Sequence, residues 1–133
     1  MGCDIHYVVE EPMEDSGWIG IMSTEAPFAP PFEIRRKIPL WQFSDRDYAF
    51  FAVLAGVRGD GPKPRGLPSD ASQMTRHYAR YDAGYWHSHS HCSLREFASF
   101  KALVGINMTE QQADVIIDNE DAHYLRVCFW FDN

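Results

Sequence analysis

Lysine is scarce in this sequence: of twelve basic residues only three are Lys, and nine are Arg. Positive charge is outnumbered too, with 19 Asp plus Glu and a formal net charge of −7. Coating a nucleic-acid backbone needs a basic surface, so bulk nucleic-acid binding is excluded. Cysteine is limited to Cys3, Cys92 and Cys128, with no CxxC pair. An odd, widely spaced set excludes a disulfide framework and a Cys-rich zinc module. No apolar run approaches the roughly 18–20 residues that span a bilayer, so no membrane partner is expected. Neither a Walker loop, a dinucleotide fingerprint nor a GxSxG elbow is present. The first residues lack a basic region followed by an apolar stretch, and His6 stands where a myristoylation start has Ser or Thr. The expected setting is a reducing cytosol.

What is present suits a packed core: 45% hydrophobic and 14% aromatic residues in 133. That length fits one domain over residues 1–133. Residues 3–11 alternate as a strand, with Asp4, His6, Val8 and Glu10 on one face and Cys3, Ile5, Tyr7 and Val9 on the other. Residues 18–22 suit a short return strand. The 23–43 stretch is a proline-rich extended connection carrying Arg35, Arg36 and Lys37, either a lid or a surface crossing. Helices are expected over about 46–57, from Ser69 or Asp70 to about Tyr81, from the Ser93/Glu96 capping box to Val104, and over about 109–117. Residues 124–131 form the last strand. The order β-β-α-α-α-α-β predicts an α+β domain: a small antiparallel sheet including both terminal strands, packed with three to four helices. Phe50, Phe51, Phe97, Phe100, Phe129 and Phe131 are assigned to the core.

Histidine falls in compact groups. Asp4 and His6 share a strand face, and His87, His89 and His91 do so if their segment is extended. Imidazole with carboxylate suits a divalent metal such as Zn or Mn. Asp4, His6, His87 and His89 are therefore candidate metal ligands, able to activate a water or polarise a phosphoryl oxygen. Asp132 joins them if the terminal strands pair. The alternative is ordinary: His-Ser repeats are common loop sequence, and a strand histidine often satisfies a local hydrogen bond.

The arginine bias points to specific anion contacts, because a guanidinium grips carboxylate or phosphate bidentately. Arg46 and Arg58 bracket the first helix, and Arg65 sits in the glycine–proline loop 59–68. Glycine lets backbone amides approach an anion closely. Tyr48, Tyr78, Tyr81, Tyr85 and Trp86 are available to stack a base, though Tyr48 suits the core better. Arg46, Tyr48, Arg58 and Arg65 are the candidate phosphate- and ligand-binding residues. Ordinary ion pairing is the competing account of the same arginines. Cys92 suits a buried, inert thiol.

The stretches MGCDIHYVVE, RDYAFFAVLAGVR, PRGLPSDAS, HSHSHCSLREF and RVCFWFDN occur in this order. In that order they resemble a family of small tailed-bacteriophage and prophage proteins that open with GCDIH, close with FWFDN, and carry PRGLP and HSHS between. The matching polar positions are Asp4, His6, Arg46, Tyr48, Arg58, Arg65, His87, His89, Asp132 and Asn133. His91-Cys92 departs from the aromatic–aliphatic pair usual there. The resemblance supplies no activity; it implies a phage or bacterial cytosolic setting.

Three functions follow as expectations. The first is recognition of a phosphorylated, nucleotide-like small molecule, with hydrolysis by a metal-dependent phosphoesterase. The second is a non-catalytic sponge that sequesters a host nucleotide immune signal. The third is an acidic inhibitor that binds a host protein. A homodimer stays among the expected partners.

Overall fold

A computed structural model of the chain describes residues 4–15, 17–25, 32, 34–35, 65–80, 86–97 and 124–132. Among the described residues there are four strands: β1 (Asp4–Pro12), β2 (Trp18–Ser23), β3 (His87–Ser93) and β4 (Arg126–Asp132). They form one antiparallel sheet in the order β2-β1-β4-β3. The two strands nearest the chain ends pair at the centre, with Asp4 opposite Asp132, His6 opposite Trp130 and Val8 opposite Cys128.

Central position explains the composition of β4. Val127, Cys128, Phe129, Trp130 and Phe131 are all buried, so both faces of the strand are covered. A strand covered on both faces reads as a continuous apolar run instead of an alternating one. One face packs Tyr7 and Phe129 edge-on against Phe97. The other carries Val8 and Trp130 into a cluster with Met74 and Tyr78 of helix α1 (Gln73–Ala79). The alternation expected in β1 is thus realised.

Helix α1 starts later than the expected Ser69 or Asp70. Ser72 is its N-cap, its hydroxyl accepting the Thr75 amide at 3.1 Å. Such a cap stabilises a helix by about 1 kcal/mol. α1 lies close on β2: a Cβ at Gly20 would fall 2.6 Å from the Met74 Cβ. Residues 94–97 are helical. The capping box there is formed, with the Glu96 amide donating to Ser93 Oγ at 3.1 Å and the Ser93 amide to Glu96 Oε1 at 3.2 Å. The helices expected over 46–57 and 109–117, and the end of that at 93–104, lie outside the described residues. So do Phe50, Phe51 and Phe100.

The expected element order contained three strands; the sheet has four. The His-Ser sequence of β3 has no apolar alternation, so periodicity does not mark it as a strand. As an edge strand it needs little, and loop residues cover part of its edge: the Gly66 amide donates to the His89 carbonyl at 3.0 Å. The α+β class stands.

Candidate functional site

The histidine cluster divides around an indole. His6 stacks near-parallel to Trp130, with 6.4 Å between ring centroids, and His89 does so at 5.7 Å. β4 lies between the strands that carry them, so Trp130 stands between the two imidazoles. Strands two places apart are separated by about 10 Å. Two nitrogens sharing one zinc ion are roughly 4 Å apart at most. His6 and His89 therefore face different neighbours. Trp86 stacks on His6 at 4.8 Å, and Glu25 bonds the His6 Nδ1. Burial, then His87, holds the His89 imidazole below its ordinary pKa, favouring its neutral form.

His87 and His89 also depart from the expected shared face. The β3–β4 register shifts between His87 and Ser90, and Ser88 adopts a left-handed φ of 57°. One extra residue in a strand turns the following side chain to the opposite face. His87 accordingly lies against Phe131 at 6.2 Å, whereas His89 lies against Trp130. Those are consecutive β4 residues pointing to opposite faces. His91 donates from Nδ1 to the Gly66 carbonyl at 2.9 Å. Asp4 and Asp132 are register partners at the same end of the sheet. Among the described residues, no group of three or more His, Cys, Asp or Glu is arranged to hold a metal ion.

Of the proposed anion-binding residues, Arg65 is the one described. Its guanidinium grips Glu96 bidentately, at 3.1 and 2.9 Å, and also donates to the His91 carbonyl at 3.1 Å. The Arg bias thus yields the expected fork contact, but with an internal carboxylate. Each partner's charge is favoured, the hydrogen bonds raising the Arg65 pKa and lowering that of Glu96. Arg46, Tyr48 and Arg58 lie outside the described residues. Tyr78 is core, and Cys92 and Cys128 are buried thiols pushed upward in pKa mainly by burial.

A site the sequence did not single out lies between β2, α1 and the described part of the proline-rich connection. It is a cleft of about 970 Å³. Trp18, Phe32 and Met74 supply apolar surface, and Arg35, Arg76 and Asp70 supply charge. Phe32 is held edge-on by His77 and Tyr78. The Arg35 amide donates to the Ile21 carbonyl at 2.8 Å, tying that connection to the free edge of β2. Arg35 and Arg76 are both exposed, and among the described residues no carboxylate pairs with either. The signal that would have found this site was present: a basic run beside prolines, and an Arg on the exposed side of a helix.

Behind the cleft is a buried carboxylate. Glu10 is 0% exposed, yet it receives four hydrogen bonds: from Arg126 Nε at 2.5 Å, the Ser72 amide at 2.6 Å, the Thr75 hydroxyl at 2.7 Å and the Cys128 thiol at 3.2 Å. Burial alone drives its pKa up. The bonds from Ser72, Thr75 and Arg126 outweigh burial and hold it below the ordinary value. Arg126 reaches on to Asp70 Oδ1 at 2.9 Å, and Asp70 Oδ2 accepts from the Trp18 indole N–H at 3.1 Å. Glu10, Arg126, Asp70 and Trp18 thus form one chain from core to cleft wall.

No helix among the described residues is long and apolar enough to cross a membrane. Compared with known proteins, the chain matches no family model, no curated protein and no solved structure.

Proposed function

We propose that this protein binds a phosphorylated, nucleotide-like small molecule in the cleft between β2 and α1. The observation that carries this reading is that two guanidiniums, Arg35 and Arg76, and the aromatic side chains Trp18 and Phe32 line one cleft. Arg is suited to phosphate because its planar fork meets two oxygens at once. Aromatic faces suit a base. The volume falls in the 300–1,000 Å³ range common for small-molecule sites. With a net charge of −7, long-range attraction does not assist an anion, so a few focused contacts must capture it.

Capture without turnover is the favoured form. The resemblance to small phage proteins gives it a setting: a protein in the host cytosol that sequesters a nucleotide immune signal. Metal-assisted hydrolysis at Asp4, His6, His87 and His89 is the second reading. The Glu25–His6 contact favours it, since a carboxylate on one imidazole nitrogen commonly orients a metal-binding histidine. It requires His6 and His89 to converge across the strand that separates them, and His87 to turn to their face.

The test is titration with adenosine and guanosine phosphates and a cyclic dinucleotide, followed by denaturation and analysis of the released ligand. Intact ligand and at least tenfold weaker binding in Arg35→Ala/Arg76→Ala are expected. Converted product only when Zn or Mn is added would favour the hydrolase. No binding of any of these compounds would overturn the reading.

A further inference from the structure

We infer that Trp18 is the base-stacking platform of the cleft, and that Asp70 and Arg126 are positioning residues that hold its ring for a purine. The inference rests on the nucleotide reading of the cleft and specifies how the base is read.

An exposed indole is ordinarily free to change rotamer, and a ligand that needs its face must first immobilise it. Trp18 is held in advance from two directions. The Arg126 guanidinium lies over its ring, 3.8 Å from the centroid. Arg126 thus covers one face of the ring, and Trp18 lines the cleft, so a stacking ligand would take the opposite face. The indole N–H is fixed by Asp70 Oδ2 at 3.1 Å. Arg126 is itself fixed by Glu10 and by Asp70, through Nε and Nη1. A ring held by a cation–π contact on one face and a hydrogen bond at its edge is a rigid surface.

The chemistry selects a class of ligand. Asp70 already takes the indole donor, so the ring offers stacking and no directional bond. Stacking tolerates any base and grades them by overlap. A two-ring purine overlaps a two-ring indole more fully than a pyrimidine does. Phosphate is left to Arg35 and Arg76, which line the same cleft. The cleft therefore takes purine nucleotides above pyrimidine nucleotides, with adenine and guanine nearly alike.

Calorimetric titration with AMP, GMP, UMP and ribose 5-phosphate tests this on the full chain. AMP and GMP should bind alike, roughly tenfold tighter than ribose 5-phosphate, with UMP between. Trp18→Leu should bring AMP down to the ribose 5-phosphate level without changing ribose 5-phosphate itself. Trp18→Phe should keep part of the preference. Asp70→Ala should lower the ratio of AMP to ribose 5-phosphate affinity several-fold, a change that loss of overall stability alone would not produce. Equal binding of AMP and ribose 5-phosphate, unaltered in Trp18→Leu, would overturn the stacking platform while leaving the phosphate contacts standing. Binding of none of the four would overturn the reading of the cleft, and the inference with it.

Discussion

The guanidinium of Arg126 lies 3.8 Å from the centre of the Trp18 ring, and the same side chain donates to the fully buried Glu10. A cleft-wall residue is thereby connected to the centre of the sheet through one arginine. The arrangement joins β1, β2, β4 and the start of α1, since Glu10 also takes the Ser72 amide and the Thr75 hydroxyl.

Glu10→Gln should therefore cost more than an ordinary surface substitution. Removing one partner of a buried ion pair typically destabilises by about 3–5 kcal/mol, and Gln retains some of the hydrogen bonds, so a loss of about 3 kcal/mol at pH 7 is expected. The pH dependence has a definite sign. The Glu10 carboxyl is held below its ordinary value in the fold. Its contribution is thus complete above the unfolded pKa of about 4.3 and is lost as pH falls through the folded one. Urea unfolding from pH 7 down to pH 3 should show a shallower acid loss in Glu10→Gln than in wild type. Parallel curves would show that Glu10 is not the coupled group.

Ser88 tests the irregularity that separates His87 from His89. Its φ of 57° costs an L residue roughly 1–2 kcal/mol, which glycine avoids in part. Ser88→Gly should leave stability unchanged or raise it by up to about 1 kcal/mol, although the Ser88 contact with His87 Nδ1 at 3.0 Å is lost. Ser88→Val should lower it by more than 1 kcal/mol, because β-branched residues resist that conformation. Thermal unfolding of the two variants decides the matter. Equal tolerance of Gly and Val would contradict the backbone assignment.

Gly20 sets the distance between β2 and α1, and with it the cleft. A methyl group there would meet Met74 Cβ at 2.6 Å and Sδ at 2.7 Å, far inside contact distance. Gly20→Ala should destabilise by about 1–3 kcal/mol, as overpacking does. Adding Met74→Ala should not fully rescue it, because the nearest atom is the Cβ that alanine keeps. Chemical denaturation of the single and double variants supplies the comparison.

The sheet was legible where side chains answer to burial. The alternation in 3–11 and the run 124–131 mark β1 and β4, and the Ser93/Glu96 pair marks the start of a helix; all three are realised. β3 was less visible because an edge strand of His and Ser carries no apolar pattern. The bulge at Ser88 leaves no mark in composition at all, so the expected shared face of His87 and His89 did not survive it. The cleft was the least visible. Trp18, Asp70 and Arg126 are separated by 52 and 56 residues along the chain, and only the sheet order and the seat of α1 bring them together. The arginine bias was a sound clue to specific contacts, but Arg65 answers Glu96 inside the molecule, whereas Arg35 and Arg76 line the cleft.

The indole N–H signals report directly where a nucleotide binds. The sequence has four tryptophans, so a ¹H–¹⁵N spectrum carries four such peaks, assignable with single Trp→Phe variants. On titration with AMP, the Trp18 peak should shift progressively and saturate, while those of Trp86 and Trp130 beside the histidines stay in place. A saturating shift confined to Trp86 and Trp130, or no shift in any of the four, would contradict the assignment of the cleft as the binding site.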